Sequence, residues 1–312
     1  MYYKRAGFHD YKRPGMYMIT MTLLPGVASM CRIGGSPSDP SVLLTAFGRL
    51  VEAHLREIHS RVSPIYVNKI AIMPDHVHLQ LTVTKYLTRP IGKELAVAKS
   101  QCSKDYAELM SLAQVSPVFG ANFHDRIIFD AEQLTNCNKY IDDNPRRLLV
   151  KREHPDLFRR YLHLDIAGIG MAAYGNIFLL RDFQKMAVMI HRASTDAEKA
   201  ADRERWLDCA CNGGVLVSPF FSPEEKAVCA EAIGMGGRII QLQLDGMPER
   251  FKPVGHEFEL CQEGRLLILA PWPDGTNSTL TREKALTLNH YASRIASIGT
   301  PDPLLLKGGK GG

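Results

Sequence analysis

The sequence predicts two folds in tandem, an α+β domain on an antiparallel sheet followed by an α/β domain on a parallel sheet. Up to about residue 164, stretches with strict apolar/polar alternation come in neighbouring pairs with helices set between them. Beyond residue 176, short apolar strands alternate one for one with helices, the order that builds a parallel sheet covered on both faces. Between the two patterns lies a glycine-rich stretch ending at Asn176. The expected division is therefore a first domain over 1–164, a linker over 165–176 and a second domain over 177–312. A chain of 312 residues also exceeds the roughly 250–300 residues at which a single core stops growing.

Residues 2–14 (YYKRAGFHDYKRP) are basic and aromatic. They read equally as an arm for phosphates and bases or as a frayed terminus. In residues 16–24, Tyr17, Ile19, Met21 and Leu23 alternate with Met18, Thr20 and Thr22, and Pro25-Gly26 ends the run. That is a strand and not a signal sequence. A loop rich in Gly, Ser and Pro follows. Then comes a helix over 41–61, introduced by Asp39-Pro40, with apolar residues at 43, 44, 47, 50, 51, 55 and 58. Strands are expected at 66–73 and 76–84, a helix at 91–110 and a short strand at 125–129. This order suits an α+β sandwich of the ferredoxin type.

The strand at 76–84 belongs to IAIMPDHVHLQL, residues 70–81. Alternation puts His76, His78, Gln80 and Thr82 on one face and Val77, Leu79, Leu81 and Val83 on the other. The apolar row enters a core, and two imidazoles stand side by side on the opposite face, as a pair of metal ligands would. Taken alone, two histidines on the wet side of a half-buried strand explain the pattern better.

A second constellation is KYIDDNPRR, residues 139–147. On a helix, Tyr140 and Asn144 lie one turn apart on the same side, beside an apolar stripe of Leu134, Cys137 and Ile141 that can dock on a sheet. Pro145 disfavours helical geometry at the residue before it, so the helix is expected to end at Asn144 with a free amide oxygen. After it the balance turns basic, with Arg146, Arg147, Lys151, Arg152, Arg159 and Arg160 against Glu153 and Asp156.

The two stretches together resemble the single-tyrosine HUH transposases, in particular their REP-associated, IS200-like branch. His76-Val77-His78 matches the family's histidine–hydrophobic–histidine motif. Tyr140 and Asn144 match its nucleophilic tyrosine and the polar residue four positions later that completes the metal site. FHDRIIFD (residues 123–130) is similar too. Asp75 stands where asparagine is the expected residue, outside the ligand set. The resemblance covers roughly the first half of the chain. It implies a ferredoxin-like HUH domain that cleaves and joins single-stranded or hairpin DNA through a 5′-phosphotyrosine. His76, His78 and Asn144 would hold Mg²⁺ or Mn²⁺, with Tyr140 as nucleophile. Arg146, Arg147, Lys151 and Arg152 follow the nucleophile directly and are assigned to phosphate binding. The family also implies a homodimer in which the tyrosine helix can serve the partner's histidines.

In the second half, strands are expected at 185–190, 215–218, 238–244 and 265–270. Helices are expected at 195–211, from Pro223 to the glycines at 234, 236 and 237, and at 281–296. Ser222-Pro223-Glu224-Glu225 is a capping box with proline at the first helical position. IGMGGR, residues 233–238, lies before a strand and ends a helix, so it does not cradle phosphate, and no Walker motif is present. GGVLVSPFFSPEEKAV, GGRIIQLQLDGM and EGRLLILAPWP weakly resemble the Rossmann-like domain of the DNA-processing protein A (Smf) family, which binds single-stranded DNA. That family's Gly-Ser-Arg and serine-glycine are here His191-Arg192 and Ser218-Pro219, so no cofactor site is carried over. The domain is read as a Rossmann-like accessory DNA-binding or assembly domain without chemistry of its own, ending in a flexible LLLKGGKGG tail.

Composition bounds these readings. A net charge of +5 and a pI near 8.8 are compatible with a nucleic-acid partner. Seven scattered cysteines without a CxxC pair indicate neither a disulfide framework nor a zinc knuckle, and point to a cytoplasmic protein with reduced thiols. No run is long and uninterrupted enough for a membrane span, so no membrane partner is expected. Two further readings of the histidine pair stay open: a His-x-His metallohydrolase, and a DNA-binding protein that keeps the architecture without turnover.

Overall fold

The computed structural model describes residues 9–182, 184–191, 193–276 and 279–298. Most of the basic N-terminal segment and the LLLKGGKGG tail lie outside these. The chain forms two compact units that divide between Arg152 and Glu153.

The first unit runs β1 (Gly15–Thr22), β2 (Cys31–Ser36), β3 (Asp39–Leu44), α1 (Ala46–Arg56), α2 (Ile58–Arg61), β4 (Ile65–Ile72), β5 (His76–Val83), α3 (Ile91–Leu109), β6 (His124–Ile128) and α4 (Ala131–Glu153). Its main sheet has the order β4-β5-β1-β6, every pair antiparallel. Period-two alternation splits the strands cleanly. Tyr17, Ile19, Met21, Val77, Leu79 and Leu81 are buried against Phe47, Val51 and Leu55 of α1 and Leu95, Ala98 and Cys102 of α3. The opposite face receives α4, whose Cys137 and Ile141 pack on Met16, Met18, Ala71 and Ile128.

Three expectations about this unit are corrected. The Gly/Ser/Pro-rich loop is in fact the hairpin β2–β3. Gly35, at φ +82°, sits where a Cβ would meet the Asp39 carbonyl at 2.2 Å, so its glycines serve a tight hairpin. The following helix starts later than expected because residues 41–44 belong to β3, and Thr45 caps it by accepting from the Gly48 N–H at 3.1 Å. The tyrosine helix also does not end at Asn144. It runs through Pro145 to Glu153. An internal proline costs about 3 kcal/mol through its missing N–H and its clash with the preceding turn. Ile141 before it is buried on the sheet, and Leu149 and Val150 after it are buried as well, which offsets that cost.

The second unit runs β7 (Arg160–Ile166), β8 (Ile169–Gly175), β9 (Lys185–Ala187), α5 (Asp196–Cys211), β10 (Val215–Ser218), α6 (Pro223–Gly234), β11 (Arg238–Leu242), α7 (His256–Gln262), β12 (Leu266–Ala270) and α8 (Arg282–Ala296). Its sheet has the order β7-β8-β12-β11-β10-β9. The strands β9 to β12 are parallel, and β8 joins β12 antiparallel. One face packs on α5, α6 and α7 through Trp206, Leu207, Val228 and Leu260. The other packs on α8 through Leu288, Ala292 and Ile295.

The stretch expected to be a linker is the β7–β8 hairpin of this sheet. Its two turn residues, Ala167 and Gly168, have φ of +55° and +71°, the mirror-image turn that matches strand twist. Gly175, at φ +110°, lets β8 approach the Leu266 carbonyl, which a Cβ would meet at 2.5 Å. Two of the glycines that suggested a linker, Gly168 and Gly175, are there for a turn and a close strand contact.

The capping box at Ser222 forms as expected. Its Glu225 does more than cap. The buried carboxylate accepts from the backbone N–H groups of Ile190 at 3.1 Å, Phe221 at 2.8 Å and Ser222 at 3.1 Å. A helix start flanked by a strand end is where an α/β fold receives an anion. Here the chain's own carboxylate fills that place.

All seven cysteines are free. Burial pushes the Cys102 thiol up to about 12 and the Cys31 and Cys229 thiols to about 11. Among the described residues, no helix is long and apolar enough to cross a membrane.

Candidate active site

The face of the first sheet that receives α4 carries the polar constellation. In register, Thr20 of β1 lies opposite His78 of β5 on one side and opposite His124 of β6 on the other. One row across three strands therefore holds an imidazole, a hydroxyl and a second imidazole. The next row places Arg126 opposite Met18, itself opposite Gln80. Ala71 and Lys69 of β4 extend the same rows.

His76 and His78 converge. Their Nε2 atoms are 3.1 Å apart, with the ring planes at 79°. Each remaining nitrogen has an oxygen beside it. His76 Nδ1 lies 2.7 Å from the Asp75 carboxylate, and His78 Nδ1 lies 2.8 Å from Thr20 Oγ1. His78 is only 4% exposed, while the His76 side chain keeps 22% exposure. The pair therefore has one end in the protein and one facing solvent.

Tyr140 comes down on this pair from α4, its ring edge-on to His78 with centroids 5.3 Å apart. Asn144, one turn on and buried, donates its Nδ2 to the Tyr140 carbonyl at 2.6 Å. That orientation turns Oδ1 away from the carbonyl. The helix is fixed by the ion pair between Lys69 of β4 and Asp142 and by the packing of Cys137 and Ile141.

The basic segment is distributed differently from the expectation of a phosphate-gripping run. Arg147 is buried, with its guanidinium 5.4 Å from the Tyr140 ring centroid. Arg146 is bonded to Asp143, and Arg152 donates to the Ile33 carbonyl at 3.0 Å. Lys151 is half-buried on the same helix. In the second unit, Arg160 donates to the Met247 carbonyl at 2.8 Å. A helix spreads consecutive residues around its circumference, so the cations of this helix leave it in different directions.

Burial raises the Tyr140 phenol above its ordinary value, and the charges of Arg147 and Arg126 oppose that rise. Arg126 is a site residue that sequence reasoning passed over. Its signal was the alternation in FHDRIIFD, which puts His124, Arg126 and Ile128 on one face. Thr20 was also passed over. Its place in an alternating strand was legible, but its position opposite His78 was not. In the N-terminal segment, Tyr11 is buried and donates to Asp125 at 2.6 Å, so it is packed and not presented to a base.

Among the described residues, no three histidine, cysteine or carboxylate side chains converge to hold a metal ion. A third ligand to the histidine pair would have to be an amide, hydroxyl, phosphate or water oxygen. The pair itself fits a divalent cation. Two ligand atoms each about 2.1 Å from one ion and at right angles are about 3.0 Å apart, close to the observed 3.1 Å. Oxygen partners on both Nδ1 atoms are the outer support that ligating histidines need.

No family model matches the sequence, and no curated protein matches it. Over part of its length the chain is similar to two solved transposase structures. One is a REP-associated tyrosine transposase bound to a REP hairpin, at 15% identity and a TM-score of 0.34, covering 46% of this chain and 73% of that one. The other is a transposase described as putative from Deinococcus radiodurans R1, at 14% identity and a TM-score of 0.29, covering 45% of this chain and 95% of that one.

Proposed function

We propose that the first unit is a metal-dependent single-tyrosine DNA strand transferase of the HUH type, acting on single-stranded or hairpin DNA. The observation that carries the reading is the meeting of Tyr140 with a convergent histidine pair. The Tyr140 ring sits edge-on to His78 with centroids 5.3 Å apart, and the two Nε2 atoms face each other at 3.1 Å. His76 and His78 would hold Mg²⁺ or Mn²⁺ with the Asn144 oxygen as third ligand, and the ion would withdraw charge from the phosphoryl oxygens.

The chain's own groups account for the rest. Tyr140 gives its phenolic proton to water and its oxygen forms a bond to phosphorus. The bond to the 3′ oxygen breaks, and that oxygen leaves as a hydroxyl after taking a proton. A 5′-phosphotyrosine and a free 3′-hydroxyl result, and joining is the reverse attack. Burial makes the phenol harder to ionise, while Arg147 and Arg126 favour the phenolate. Asn144 holds the turn of α4 that carries Tyr140, which limits the directions the phenol can take.

The test uses the full chain with a pool of labelled single-stranded and hairpin oligonucleotides and Mn²⁺, resolved on a denaturing gel. Nicked DNA and a protein-linked product are expected. Persistence of the adduct in Tyr140→Phe protein would falsify the assignment. DNA binding without nicking or adduct in the unaltered protein would favour a non-catalytic DNA-binding role instead.

A further inference from the structure

The two facing Nε2 atoms pose a question of proton counting. Asp75 presents a carboxylate, which accepts only, so neutral His76 carries its proton on Nδ1 and a lone pair on Nε2. The atom it faces at 3.1 Å is His78 Nε2. Two lone pairs repel at that distance. With nothing between the rings, His78 therefore has its proton on Nε2 and donates it to His76. Its Nδ1 is then an acceptor, and Thr20 Oγ1 at 2.8 Å must donate. With a cation between the rings both Nε2 atoms present lone pairs, and His78 must hold its proton on Nδ1. The same Thr20 oxygen must then accept. A hydroxyl serves both states because it donates or accepts by rotating one hydrogen.

We propose that Thr20 is a positioning residue whose hydroxyl reverses direction when a divalent cation binds, letting His78 change tautomer without losing its hydrogen bond. The proposal rests on the reading of the histidine pair as a metal site. The proton count balances: one proton leaves Nε2 for water, one reaches Nδ1 from water, and the imidazole stays neutral. Two features make the hydroxyl hard to replace. Thr20 lies on the inner strand β1 and is held in register by β5 and β6 at once. His78 is 4% exposed, so bulk water has little access to substitute for it. An unsupported Nδ1 leaves a ligating imidazole free to turn, which costs metal affinity without touching a ligand.

The experiment is ¹⁵N NMR of the histidine rings in the full chain at about pH 8, where an ordinary imidazole is neutral. Spectra are recorded with and without Mg²⁺, and Mn²⁺ affinity is measured in parallel by electron paramagnetic resonance. The metal-free protein should show Nδ1–H on His76 and Nε2–H on His78, and Mg²⁺ should convert His78 to Nδ1–H. Thr20→Val should weaken Mn²⁺ binding by about tenfold or more, and Thr20→Ser should restore it. His78 already in the Nδ1–H form without metal would overturn the proposal, and the unaltered protein alone decides this if the valine variant does not fold. Tight Mn²⁺ binding that His76→Ala abolishes but Thr20→Val leaves intact would overturn the Thr20 role while sparing the metal site. Equal Mn²⁺ binding by the unaltered protein and His76→Ala would overturn the metal reading and this proposal with it.

Discussion

The two sheets of this protein treat their polar groups in opposite ways. In the second unit, the place where an α/β fold receives an anion is filled by Glu225, whose carboxylate accepts three backbone N–H groups. In the first unit, His76 and His78 satisfy their outer nitrogens on Asp75 and Thr20 but leave their inner nitrogens facing each other. One unit closes its polar site with its own side chain, and the other turns two imidazole nitrogens toward each other. The difference teaches where to look for chemistry. Polar clusters that the backbone pairs internally stabilise a fold, and side chains that converge on one another are where chemistry is sought.

The strongest challenge to this contrast is Tyr140→Phe. It removes one hydroxyl from the open site, so covalent adduct should fall by about a thousandfold or more, as for loss of a nucleophile, with DNA binding retained. Adduct yield on a denaturing gel checks it. Next is Arg147→Ala. Because Arg147 opposes the burial that raises the Tyr140 phenol, its loss should raise that pKa further and move the rising limb of the pH–rate profile to higher pH. At neutral pH the rate should fall by roughly a hundredfold, the scale for one buried group acting on developing charge. A profile displaced to lower pH would show that Arg147 does not act on the phenol.

The closed site is tested by Glu225→Ala, which strands three N–H donors. Thermal or denaturant unfolding should show a loss of about 3 kcal/mol, with no effect on adduct formation by Tyr140. Weak phosphate binding gained by this variant would sharpen the contrast, since it would show that the carboxylate occupies a real anion cradle. The smallest effect is expected for Arg152→Ala. Each phosphate contact on single-stranded DNA contributes about 0.7 to the log–log salt slope. With its guanidinium engaged by the Ile33 carbonyl, Arg152 should contribute nothing, and a slope reduced by about 0.7 would place it on the backbone of the DNA.

Much of the architecture was legible because it follows from local rules. Alternation in 76–83 set the two faces of β5, and the apolar row entered the core with Val77, Leu79 and Leu81 fully buried. The capping box at Ser222 and the one-for-one alternation of strands and helices in the second half were read in the same way. The misreadings have local causes too. Gly168 and Gly175 carry positive φ, a property shared by hairpin turns, close strand contacts and linkers, so composition could not separate them. Pro145 read as a helix stop because proline has no N–H. The burial of Leu149 and Val150 that carries the helix past it exists only once the unit is folded.

The sequence by itself determined the chemistry available: two histidines on one strand face, and a tyrosine and an amide one turn apart on a helix. These are spacings of two and four residues, and backbone periodicity converts such spacings into directions. Only the tertiary structure decided what meets what. Thr20 reaches His78 across 58 residues, and Tyr140 reaches it across 62 more. No periodicity spans such separations. Strand register and the docking of α4 bring these groups together, and both are set by burial of the apolar faces rather than by the polar groups that the burial aligns.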